Sequence, residues 1–186
     1  MKRLFPIFAA AMIFASCASS SLNKVFVTNL KRVSLLPPDA ISKEIDSYQL
    51  FNGSFGEKSI SALLYLTADK SGIQIVMLND FGIEMGTISY DGESAEMDAP
   101  MLENAKPEYI LLDLQNAYAD AEKLQAHYKK HGLTFTQEKT SDAILRKIKN
   151  GDDEIEEITI SNDGANVRIV NKLRGYEYNL EEESDE

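Results

Sequence analysis

Apolar and polar positions alternate along most of the chain in short runs, and one long stretch, residues 107–132, breaks that rhythm with a helical period. Within it Ile110, Leu111, Leu114, Ala117, Tyr118, Ala121, Leu124 and Tyr128 recur at the three-to-four spacing of a single helix face. Pro107 suits a first turn, Lys129, Lys130 and His131 a last turn, and Gly132 a left-handed cap just beyond it. The pattern predicts one helix, or two joined near Ala119. Before it, residues 48–55, 58–68, 73–78, 83–90 and 95–98 read as strands, parted by turn sequences such as Ser71-Gly72 and Asp91-Gly92. After it come strand-like runs at 134–137, 143–149, 155–161, 165–171 and 176–180, with Asn150-Gly151 and Asp163-Gly164 as hairpin turns. Strands joined by turns this short are antiparallel.

Several of these runs are apolar on both faces. Ile60, Ala62, Leu64 and Leu66 alternate with Leu63 and Tyr65, and Ile73, Ile75 and Met77 alternate with Val76 and Leu78. A half-exposed sheet carries polar residues on its outer side, so the second face calls for cover by the helix, a membrane or a ligand. Gly86 marks a bend or bulge where the sheet curls. The expected fold is mainly β (α+β): an incomplete antiparallel barrel, or strongly curved sheet, covered by a central helical segment and forming one domain over residues 35–180.

The first residues follow a different logic. Lys2 and Arg3 precede an apolar run from residue 4 to 14 that is too short to span a bilayer, and Phe14-Ala15-Ser16-Cys17 follows. That ending resembles the lipobox of bacterial lipoproteins, in which the Cys17 thiol is diacylated and becomes the new N-terminus. The expectation is a signal peptide over residues 1–16 and a lipidated tether over 17–34. The rival is an ordinary secretory signal cut near Ala18. Cys17 is the sole cysteine, so it has no disulfide partner within the chain, and several acyl chains on one terminus meet the requirement for stable anchoring. Ala18 stands where an aspartate favours inner-membrane retention, so the outer membrane, facing the periplasm, is the expected location.

Charge narrows the partners. The chain carries a formal net charge of −11 and becomes more negative without Lys2 and Arg3, which argues against nucleic acid and against docking on anionic lipid headgroups through charge alone. Part of the excess sits in residues 152–157, read as a solvated hairpin, and in 181–186, read as a disordered tail.

Candidate chemistry is sparse. His127 and His131 share a helix face at metal-pair spacing but lack an HExxH pattern, and two solvated histidines at a helix end is the simpler reading. There is no GxSxG elbow, so no catalytic residue, metal or cofactor is assigned and the chain is not read as an enzyme. Arg146, between Ile144 and Ile148 at period two, stands at a rim or points inward toward a carboxylate. Met77, Met85, Met97 and Met101, with Phe51, Phe55, Tyr65, Phe81 and Tyr90, are candidates for an adaptable apolar surface as well as for ordinary core.

The order of features carries a family resemblance. The lipobox, Leu35-Leu36-Pro37-Pro38, the strand pair through Phe81-Gly82-Ile83-Glu84-Met85-Gly86, the helical Ile110-Leu111-Leu112-Asp113-Leu114, and the closing Arg174-Gly175-Tyr176 resemble the bacterial lipoprotein family of domain of unknown function 3261. The resemblance implies association with gene clusters for aryl polyene or related lipids. It also implies a fold similar to the Lol-pathway lipoprotein-sorting proteins, which are open barrels over helices with a cavity for acyl chains.

Together these readings give a membrane-anchored lipoprotein that binds or transfers a lipid or acylated molecule. Leu64, Leu66, Ile75, Met77, Met85, Leu111, Leu114 and Tyr118 are expected to line its cavity. The alternative is a non-enzymatic assembly factor for an envelope biosynthesis or export complex, docking through Pro100-Met101-Leu102.

Overall fold

The computed structural model describes residues 23–102 and 105–183; the expected signal peptide over residues 1–16 and Cys17 lie outside them. Ten strands form one antiparallel sheet, built as two meanders. The first runs through β3 (Ile45–Phe55), β4 (Lys58–Ala68), β5 (Ile73–Leu78), β6 (Glu84–Tyr90) and β7 (Ala95–Asp98). The second runs through β8 (Thr134–Lys139), β9 (Ala143–Asn150), β10 (Asp153–Ser161), β11 (Asn166–Asn171) and β12 (Tyr176–Glu182). The meanders join where β12 lies beside β3, with Tyr178 opposite Gly53 and Leu180 opposite Phe51. The sheet order is therefore β7-β6-β5-β4-β3-β12-β11-β10-β9-β8, and β7 and β8 are open edges. The sheet is curved but not closed.

The helical stretch divides into α1 (Pro107–Tyr118) and α2 (Ala121–Lys130). Ala119 between them is extended and pairs with Ile41, and Asp120 caps α2 by accepting from the amides of Glu122 and Lys123. α1 packs against β6, β7, β10 and β11, and α2 against β8. The helices thus occupy the concave side of the sheet, where Leu66, Ile75, Ile88, Ile158, Ile169 and Leu180 are buried.

A small hairpin, β1 (Lys24–Phe26) with β2 (Arg32–Ser34), adds a further layer against α1. Residues 24–34 were expected as tether. Val25, Val27 and Val33, at alternate positions of the hairpin, are all buried in the core instead. After it, the side chain of Gln115 on α1 clasps Leu36, donating to its carbonyl (2.7 Å) and accepting from its amide (2.8 Å).

One further expectation changes. Glu181 and Glu182 complete β12 opposite Leu50 and Gln49 rather than belonging to a tail, and residues 184–186 lie outside the described part. The irregularity expected at Gly86 is there: Met77 pairs with Gly86 but Leu78 with Glu84, which leaves Met85 as an extra residue on β6. Gly86 itself permits a close crossing, because a Cβ there would lie 2.7 Å from Ala99 Cα and from the Asp98 carbonyl oxygen.

Candidate functional site

Between the first meander and α1 lies an apolar cavity of about 90 Å³. Its walls come from inward positions of consecutive strands: Phe51 and Phe55 on β3, Ile60, Ala62, Leu64 and Leu66 on β4, Ile75 and Met77 on β5, and Ile88 on β6. Ile110 and Leu114, one turn apart on α1, close it with Leu102, and Tyr178 and Leu180 complete it from β12. Exposure falls along the lining from 38% at Phe55 to 2% at Leu66, so the cavity opens toward the β3–β4 turn. Gly53 shapes that mouth. A Cβ on it would come within 2.7 Å of both the Phe51 and Phe55 rings, and its absence lets them lie across the strand.

Behind Tyr178 the chemistry changes. The Tyr178 hydroxyl donates to Asp113 Oδ2 (3.1 Å), and Tyr176 donates to the same oxygen (2.7 Å). Glu156, on β10, accepts from the Asn116 and Asn171 amides at 3.1 and 3.2 Å, and Tyr128 donates to the Asn116 carbonyl oxygen (2.7 Å). Asp113 and Glu156 are each less than 5% exposed. Burial pushes the Asp113 carboxyl up to about 7 against its tyrosine hydrogen bonds and the positive charge of Arg174. Burial, and then the Asp113 charge, holds Glu156 well above the usual carboxylate range. Burial thus favours the protonated form of both acids behind the cavity wall.

Arg146 resolves as an inward side chain whose partners are not carboxylates. Its Nη1 donates to the carbonyls of Asn116, Ala117 and Ala119 at 2.8 to 2.9 Å, and its Nε donates to the Gln137 side chain. A guanidinium thus satisfies carbonyls that the break between α1 and α2 frees. Burial lowers its pKa to about 10.

A family model spans residues 46–184, from the second residue of β3 to just past the end of β12, and carries the description Protein of unknown function (DUF3261). The chain belongs to this family. No curated protein matches it. The DUF3261 region contains the ten-stranded sheet apart from its first residue, and both helices, so the cavity and the acid pair are built wholly from it.

Within this DUF3261 domain the structure brings together Leu64, Leu66, Ile75, Met77 and Leu114 around the cavity, and places Met85, Leu111 and Tyr118 elsewhere. Met85 is the extra residue where β6 shifts register against β5; it is half-buried and outside the cavity wall. Leu111 shares a face with Gln115, which holds Leu36, and lies about 100° around α1 from Ile110. Tyr118 follows Leu114 by one turn but lies beyond the cavity's inner end, at the close of α1. Of the other aromatic candidates, Phe51 and Phe55 line the space, Tyr65 pairs with Tyr48 at 5.0 Å between ring centroids, and Phe81 is exposed.

His127 departs from the solvated reading. It is buried, burial lowers its pKa, and its Nε2 has no hydrogen-bond partner among the described residues. Among the described residues no cluster of His, Cys, Asp and Glu is placed to hold a metal, and no helix is long and apolar enough to cross a membrane.

The acid pair escaped the sequence reading, and a signal for half of it was present. Asp113 is the single charge within Ile110-Leu111-Leu112-Asp113-Leu114. Glu156 was hidden in the acidic run 152–157, although it shares period-two parity with Ile158 and Ile160.

Proposed function

We propose that this DUF3261 protein is a lipid-anchored envelope protein that takes up a lipid or acylated molecule, burying part of its acyl chain in the cavity between sheet and α1. The observation carrying this reading is the cavity itself, whose lining side chains are apolar apart from the Tyr178 hydroxyl, and that hydroxyl is engaged by Asp113 behind the wall. A void of about 90 Å³ left unfilled forfeits about 2 kcal/mol of packing, at about 24 cal/mol per Å³. That is a sizeable share of a domain's net stability of roughly 5–15 kcal/mol.

The space suits about three water-sized groups. Three or four methylenes placed there would contribute about 2–3 kcal/mol, at about 0.8 kcal/mol each. A longer chain requires the Phe51 and Phe55 rings, which lie over Gly53, to swing from the mouth. The lipobox ending at Cys17 supports anchoring at the membrane, and the residue after it supports the outer membrane, facing the periplasm. The order of strands and helices resembles that of the Lol-pathway sorting proteins and supports a carrier over an enzyme. The buried acids support the same reading, since their hydrogen bonds are taken by tyrosine and asparagine side chains.

Native mass spectrometry tests this on the chain from Ala18 onward, directed to the periplasm by an unrelated cleavable leader and purified without detergent. The expected result is a reproducible added mass that extracts into organic solvent. A clean mass, together with no binding of added fatty acid, would overturn the carrier reading and favour the assembly factor.

A further inference from the structure

Six large apolar side chains left exposed gather at one end of the sheet: Leu30, Phe55, Phe81, Ile83, Met101 and Leu173; Tyr48 and Leu50, also exposed, lie along β3 away from it. Strand register puts them there. Tyr176 pairs with Phe55, so the β11–β12 turn bearing Leu173 adjoins the β3–β4 turn. β5 pairs with β4 so that Leu78 meets Leu63, and the β5–β6 turn with Phe81 and Ile83 emerges at the same end. β7 leaves its pairing with β6 toward this end, which places Met101 there. Leu30 joins them because its neighbour Lys31 donates to the Gly132 carbonyl and to Asn150 at the β9–β10 turn. This is also the end at which the cavity opens.

Charge divides along the same axis. The opposite end carries Asp69, Asp91, Glu93, Asp142 and Asp163 against Lys70 and Lys139. The mouth end intersperses Glu57, Asp80, Glu84, Asp152 and Asp153 with Lys58, Lys129, Lys130, Lys172 and Arg174. A surface bearing anionic headgroups repels the first end more strongly than the second. The apolar residues there also project singly from separate turns, Phe81 at 87% exposure and Leu30 at 91%, rather than forming one flat patch. Isolated apolar tips among lysines fit the boundary between headgroups and acyl chains better than the packed centre of a protein interface.

We propose that the mouth end docks on a bilayer surface containing anionic lipid, with Phe81 and Ile83 entering the headgroup region. The inference deepens the carrier reading and rests on it for its purpose: docking sets the cavity opening against the layer that holds acyl chains.

The chain contains no tryptophan, so Phe81→Trp supplies a single emission reporter at the docking tip, and Lys70→Trp supplies one on an exposed turn at the opposite end. Both are made in the full chain and mixed with vesicles of phosphatidylethanolamine containing about a quarter phosphatidylglycerol, with brominated acyl tails as quencher. The expected result is a blue shift for Phe81→Trp and quenching severalfold stronger than for Lys70→Trp. Adding Ala62→Leu, which fills the cavity, should leave the Phe81→Trp signal unchanged even where it abolishes cargo binding. An unshifted Phe81→Trp, or equal quenching at both ends, would overturn the proposal. Loss of the signal in the Ala62→Leu background would also overturn it, by tracing the quenching to cargo in the cavity.

Discussion

At Asp113 burial outweighs two tyrosine hydrogen bonds, and the carboxyl rises to about 7 with Tyr176, Tyr178, Glu156 and Arg174 as the groups facing it. In the unfolded chain an aspartate titrates near 3.9. Between those values the folded protein holds more protons than the unfolded one, so the stabilisation is full below about pH 4 and is lost as pH rises through about 7. Asp113→Asn removes this dependence while keeping an acceptor for the tyrosines. Its melting temperature, relative to the wild type, is expected to be higher at pH 7.5 than at pH 5. A constant difference across that range would count against the protonated pair.

Gly86 yields a second expectation at this scale. The Cβ of Gly86→Ala would meet backbone atoms of Asp98 and Ala99, which cannot swing aside as a side chain can, so about 1–3 kcal/mol of stability should be lost in urea unfolding. Single residues were unevenly legible. The inward direction of Arg146 followed from its parity with Ile144 and Ile148, but its carbonyl partners required the helix break to be placed against β9. Met85 falls outside the cavity wall because it is the extra residue where β6 shifts register against β5, and the sequence does not say which residue beside Gly86 is the extra one.

Among the elements, the two helices and the Arg146 side chain form one unit. Arg146→Met leaves the carbonyls of Asn116, Ala117 and Ala119 without their donor in a buried position. A loss of about 2–3 kcal/mol is expected by urea unfolding, with α1 showing faster amide exchange than the sheet. The hairpins were readable because each is local: its turn residues and flanking alternation lie within a few positions of one another. The pairing of β12 with β3 was not, because it joins strands over a hundred residues apart and depends on how both meanders curl. β2 escaped, and β1 was read only as an edge strand that residues 25–27 could add, for another reason. Three-residue strands give too little alternation to stand out from a linker, and their burial depends on α1 being in place.

The whole molecule is an open curved sheet whose helices fill the concave side except at one apolar cavity, and whose exposed apolar tips gather around the mouth of that cavity. The sequence patterns led to a sheet over helices and to five of the eight residues named for the cavity, with Phe51 and Phe55 besides, because inward positions of consecutive strands must converge on whatever covers them. They were silent on the cavity's size, which is a remainder of packing, and on the alignment of apolar tips with charge, which appears once the register assigns each turn to an end.

The central claim is that this remainder is a binding space rather than a packing defect, and Ala62→Leu tests it most directly. Ala62 is buried, lines the cavity and pairs with Phe51, so a leucine there extends into the void. Melting temperature and the binding of a fluorescent fatty acid are measured on wild type and variant. The account predicts a gain of about 0.5–2 kcal/mol in stability with a Kd weakened at least about tenfold, equivalent to about 1.4 kcal/mol. A folded, stabilised variant that binds the fatty acid as well as the wild type would contradict it.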